Sequence, residues 1–182
     1  MTASFLFLIL LLSPVVSAVR QTLQLSTAFV ITGSLTRELI ITTVSLPNAD
    51  ESNAVALGQS YLNIAMLLKD RIGLGNATTI ANLFIDQASN FHSIVTNIQA
   101  GRQYGIDKEQ WILNGSKIVN YLTGCLPSIQ GSIMMELLTS HLNLIISEAN
   151  GMIKGNYQSS YTNYFNDLTV LEQIGSLISS AM

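Results

Sequence analysis

Seven positions of this chain recur in step 54 residues apart. Ile80, Phe84, Gln87, Ala88, Phe91, Val95 and Ile98 fall on Met134, Leu138, His141, Leu142, Ile145, Ala149 and Met152. Both sets are spaced 4, 3, 1, 3, 4 and 3, the interval of one helix face. A fainter third copy places Leu25, Phe29, Thr32, Gly33, Thr36, Ile40 and Thr43 at the same spacing. Gly101 falls on Gly155, and Trp111 on Phe165. A strand shows its apolar side at every second residue, so this stripe cannot be laid on a sheet. The pattern predicts an all-α antiparallel bundle of about six helices, built as three helical hairpins with an internal repeat of about 54 residues.

The segments follow from the breaks. The first runs from about Gln21 to Leu46 and ends at Pro47, with Asp50 and Ser52 offered as N-caps for the next. The second, Asn53 to Arg71, sets Leu57, Tyr61, Ile64 and Leu68 on one face and stops at Gly73. The third covers Asn76 to Gln99. Asp107 opens the fourth, with Gln110 three residues on as a capping box. The fifth begins at Ser128 or Gly131 and closes at Gly155. The sixth fills Ser159 to Ser180, with Tyr161, Tyr164, Leu168, Leu171, Ile174 and Ile178 as its stripe. Short breaks suit antiparallel neighbours.

One stretch resists this reading. In "EQWILNGSKIVNYL", Asn114-Gly115 between apolar runs is a β-hairpin signal. Its flanks do not alternate, however, because Trp111, Ile112 and Leu113 are contiguous. Its repeat partner, "YFNDLTVLEQIGSL", has no Asn-Gly and reads as helix throughout. Glycine inside a helix costs only about 1 kcal/mol, which packing of Trp111, Ile118 and Leu122 offsets. Helix is the expectation.

The opening "MTASFLFLILLLSPVVSAVR" is apolar from Ser4 to Ala18 and carries no charge before Arg20. That core is shorter than the roughly 20 residues of a spanning helix. Small residues at Val16-Ser17-Ala18 mark a cleavage site, so residues 1–18 read as a secretory signal peptide and 19–182 as one helical-bundle domain. The alternative is an uncleaved membrane anchor. Net charge is −3, charged residues are 10% of the chain, and Lys and Arg form no cluster, which leaves nucleic acid without electrostatic support. Cys125 stands alone, so no intrachain disulfide forms and packing must hold the fold.

Motifs for chemistry are sparse. Gly73-x-Gly75 in "RIGLGNATT" lacks the Gly-Lys-Ser/Thr of a phosphate loop and reads as a turn. Two histidines, His92 and His141, do not make a zinc site. His141 lies within the stripe as a hydrogen-bonded core residue, and His92 lies beside it with room to be exposed. The eleven acids look scattered over helix ends and exposed faces, giving no carboxylate pair for hydrolysis. No nucleophile triad has local support. Asn76-Ala77-Thr78 and Asn114-Gly115-Ser116 fit the N-glycosylation pattern. Tyr157, Tyr161, Tyr164 and Phe165 cluster at the start of the last helix, either as core and rim packing or as a sugar- or partner-binding surface.

The stretches "LTRELIITTVSLPNAD", "EQWILNGSKIVNYLTG" and "LLTSHLNLIISEANGMIKGNYQSSYTNYFNDL" resemble a group of small all-helical bacterial proteins common in bacilli. That group reads W-T-R, an apolar run and L-P-D, then L-L-x-x-H, W-Y-x-N-x-x-x-I and H-L-x-L. The likeness covers about residues 35–182. Some members carry the name acetylglutamate kinase, which a short chain without a phosphate-cradling loop or an α/β fold does not support. The resemblance implies an inward arginine at Arg37, which needs a carboxylate or carbonyl partner because an unpaired buried charge is costly. It also implies inner-face histidines, of which only His141 is kept here. Thr32 and Gln87 stand at the equivalent positions, and Leu168 and Val170 lie near the family's His-x-His, which argues against a metal centre of the family kind.

Arg37, Gln87 and His141 are therefore the candidate inner polar cluster. No catalytic residue, metal ligand or cofactor is assigned. The favoured function is a secreted or surface-exposed binding or structural module, not an enzyme, whose partner is an unknown protein or small molecule. One alternative is a metal- or small-ligand-binding protein or small enzyme centred on the inner face. The other is a membrane-anchored interaction protein that keeps its N-terminal helix.

Overall fold

The computed structural model describes residues 2–45 and 51–182, with side chains over 20–45 and 53–182. Pro47, Asp50, the Ser52 cap and the side chains of the signal-peptide segment lie outside the described residues. Six helices and no strand occur among the described residues: α1 Thr2–Ser45, α2 Glu51–Ile72, α3 Leu74–Gln99, α4 Gly105–Cys125, α5 Gly131–Ile153 and α6 Tyr157–Ser180. The fold is an all-α bundle, and "EQWILNGSKIVNYL" lies wholly within α4.

Each helix packs on the next in sequence, and α6 returns to α1. In addition α1, α3 and α5 each touch the other two, so they form the centre, and α2, α4 and α6 each lie between two of them. Neighbours run antiparallel, as cross-helix bonds show. Thr32 meets Ser60 while Asn53 meets Thr42, and Gln87 meets Asn114 while Asn97 meets Asp107.

Chain reversals use glycine where the backbone demands it. Gly101 and Gly155 sit at φ 65° and 71°, a left-handed conformation favouring residues without Cβ. Around each, two backbone N–H groups cap the preceding helix: Gly101 to Ile98 O and Arg102 to Asn97 O, then Gly155 to Met152 O and Asn156 to Gly151 O. This is the Schellman arrangement, and it satisfies carbonyls that a helix end leaves open. Two local expectations are corrected. Asp107 does not cap α4, whose N-cap is Tyr104; its carboxylate accepts instead from Asn97 Nδ2 at 2.8 Å. Asn76 lies inside the first turns of α3, which begins at Leu74.

The core is aliphatic with few aromatic inserts. Phe29, Tyr61 and Phe84 meet across α1, α2 and α3, with Tyr61 stacked on Phe84 at 5.2 Å and Phe29 edge-on to Phe84 at 6.0 Å. The α1–α6 seam is the tightest. A Cβ on Gly175 would stand 2.7 Å from the Ser26 Cα, and one on Gly33 would stand 2.6 Å from a Leu171 methyl. Among the described residues no helix is long and apolar enough to cross a membrane.

Candidate functional site

A polar pair bridges the two helices of each hairpin. Between α1 and α2, Thr32 Oγ1 donates to Ala28 O at 2.9 Å, which leaves the Ser60 hydroxyl to donate to Thr32 Oγ1 at 2.5 Å. Between α3 and α4, Asn114 Nδ2 donates to Gln87 Oε1 at 2.9 Å and to Leu83 O at 2.8 Å. Between α5 and α6, His141 Nδ1–H donates to Asp167 Oδ1 at 2.6 Å. All six side chains are buried. The inner positions of neighbouring antiparallel helices face each other, which lets these side chains meet.

The third hairpin adds ionic chemistry. Arg37 on α1 donates through its Nη1 to Glu148 Oε1 on α5. Its guanidinium also lies 4.2 Å from the Tyr161 ring centroid and 4.7 Å from that of Tyr164. Tyr164 is held in turn by its hydroxyl at 3.2 Å from Ser34 Oγ. Cation–π contact and ion pairing together fix the arginine where α1, α5 and α6 converge. Trp111 lies against the His141 ring with centroids 6.1 Å apart.

Burial pushes the Glu148 carboxyl up to about 7, with Asp167 adding repulsion and Arg37 and His141 pulling back. Burial also drives the Tyr61 phenol well above its usual range, and the Asp167 charge adds to this. Tyr61, His141, Glu148, Asp167 and Arg37 thus share one electrostatic neighbourhood, drawn from α2, α5, α6 and α1. A carboxylate kept from water loses solvation of its charged form, and the arginine restores only part of it.

The three sequence-derived candidates are all buried, and the structure relates two of them. Arg37 and His141 both act on Glu148, whereas Gln87 bonds to Asn114 and its Nε2 has no hydrogen-bond partner. The expectation that the acids lie at helix ends or exposed faces fails at Glu148 and Asp167, each about 1% exposed within a helix. Glu148 sits on the stripe of α5, whereas Asp167 stands beside Leu168, one residue off the stripe read for α6. Glu148 lies seven residues beyond His141, and Asp167 four before Leu171.

The pairing of Trp111 with Phe165 is also corrected, since Trp111 is 1% exposed and Phe165 60%. Aligning Asn114 with Asp167 brings Ile118 onto Leu171, both buried, and that offset is one residue shorter than 54. Asn114 cannot accept a glycan in the folded chain because its Nδ2 is buried in two hydrogen bonds. Asn76 is exposed, though its amide donates to Ile72 O and its oxygen accepts from Tyr121.

No group of three His, Cys, Asp or Glu side chains fit to hold a metal occurs among the described residues. An apolar groove of about 360 Å³ lies between α2 and α3, lined by Val55, Gly58, Ile85, Ala88 and His92, with Leu39 of α1. His92 is half-buried there. On the outside of α6, Tyr157, Tyr161 and Phe165 stand 62%, 53% and 60% exposed. No family model, curated protein or solved structure matches the chain.

Proposed function

We propose that this chain is a secreted binding module, without a cofactor, whose interior is closed by polar pairs and whose contact surface is the aromatic face of α6. One observation carries the reading: three large aromatic side chains stay more than half exposed on a bundle with ample apolar interior. Aromatic surface left in water is unfavourable, and contiguous exposed apolar patches mark interaction sites. Tyr161 is also positioned from beneath by Arg37, whose charge Glu148 already engages. The α2–α3 groove offers apolar walls with Ser89 and His92 as its polar groups.

The scaffold belongs to the same proposal, as three copies of one helical hairpin. The buried set Leu57, Ser60, Tyr61, Ile64, Ala65, Leu68 and Ile72 of α2 falls, 54 residues on, upon Trp111, Asn114, Gly115, Ile118, Val119, Leu122 and Leu126, which are also buried. The bridging pairs support it as well. The likeness to the small helical bacterial proteins and the cleavage after Ala18 are sequence-borne parts of this reading.

If the α6 face serves contact and not the core, Tyr157→Ser and Phe165→Ser shift Tm by less than about 2 °C. Trp111→Ala, the buried control, should cost about 3–5 kcal/mol. A loss in the surface variants as large as in the control would show the stripe to be structural and end the reading.

A further inference from the structure

We propose that the outward face of α6 binds an uncharged oligosaccharide. This rests on the reading of that face as the contact surface and adds the chemical class of its ligand.

Tyr157, Tyr161 and Phe165 are four residues apart, so they stand in one row on the helix. At a rise of about 1.5 Å per residue, the row spans about 12 Å. The Tyr161 and Phe165 rings lie within 25° of parallel, with centroids 6.5 Å apart. Such a row offers successive ring surfaces to the C–H faces of successive sugar units. Arg37 behind Tyr161 holds that ring from the buried side, being itself 8% exposed and hydrogen-bonded to Glu148.

The surroundings decide between ligand classes. Gln158, Thr162, Asn166 and Thr169 are the exposed polar neighbours on α6, and all are uncharged hydrogen-bonding groups. From Asn156 to Thr169 the one charged residue is Asp167, which is buried against His141. A nucleic acid or anionic lipid finds no cation on this stretch, and a basic peptide finds no carboxylate. Amides and hydroxyls beside aromatic rings match sugar hydroxyls and C–H faces.

Area argues against a protein partner. Aromatic side chains carry about 150–250 Å² each, so three of them at these exposures present about 350 Å². A stable protein interface buries about 800 Å² on each side.

The experiment titrates the full chain with cellohexaose, chitohexaose and maltohexaose, by calorimetry and by NMR of the aromatic resonances. Saturable binding to at least one at millimolar concentration is expected, with shifts at Tyr157, Tyr161 and Phe165. Phe165→Ala and Tyr157→Ala, with Tm unchanged, should weaken it by at least about tenfold. Absence of saturable binding to all three, or binding that both variants leave intact, overturns the proposal. So does a dimer in sedimentation that Phe165→Ala dissolves, since the row would then serve self-association. Failure here with Tm unchanged in the variants leaves the contact-surface reading standing, whereas a fall in Tm removes that reading too.

Discussion

The first two hairpins and the third each enclose a buried polar pair, made of different chemistry. Hydroxyls bridge α1 to α2 and amides bridge α3 to α4, while an imidazole and a carboxylate bridge α5 to α6 beside an arginine–glutamate pair. Neutral pairs lose little on burial and answer only to geometry. Charged groups lose solvation as well, and in the third hairpin burial of Glu148 couples packing to proton concentration near neutral pH.

The largest way to break the contrast is to strand a charge. Glu148→Leu should destabilise the fold by about 3–5 kcal/mol in urea unfolding, because the buried Arg37 guanidinium loses the acceptor of its hydrogen bond, which a protonated carboxyl still supplies. The double variant Arg37→Met/Glu148→Leu should recover most of that loss. A single variant costing under about 1 kcal/mol would show that the pair is not buried as described.

The pH dependence is next in size. The Glu148 carboxyl stands at 4.5 ordinarily and about 7 in the folded chain, so the fold holds this proton more tightly than the unfolded chain does. Its contribution to stability is complete below about 4.5 and lost as pH rises to about 7. Glu148→Gln should remove that slope. The stability gap between the two proteins should change by about 3 kcal/mol across the window. Parallel curves would mean that the carboxyl titrates as it does in water. The smallest effect belongs to the hydroxyl clasp: Thr32→Val should cost about 1 kcal/mol, without pH dependence from this pair. A pH-dependent loss there would erase the distinction between the hairpins.

How far the site could be read beforehand depends on where each partner lies. Arg37, Gln87 and His141 stand out because each is a polar residue within an apolar stripe, a local pattern. Glu148 sits on the same stripe in "LNLIISEANG" yet reads as one of the scattered acids, because its partner is 111 residues away on α1. Asp167 is hidden by its neighbours: Tyr164 and Leu168 suggest a stripe centred one residue off, and exposed Phe165 reads as the counterpart of buried Trp111. Aromatic side chains on a helix count as core in any periodicity argument, and only burial separates the clasping Trp111 from the outward Phe165.

The amino-acid order alone marked α2 to α6 and the part of α1 from Gln21 on, the turns at Gly101 and Gly155, and which side of each central helix faces inward, whereas α1 itself begins at Thr2. Those properties depend on residues three or four apart, whose interactions exist in an isolated segment. Tertiary structure decided that Arg37 meets Glu148, that His141 meets Asp167, and that the first residues of α6 look outward. The first pairing joins α1 to α5 and the second α5 to α6, so both arise only when these helices pack, and the low dielectric that makes them costly to leave unmade exists only inside the closed bundle.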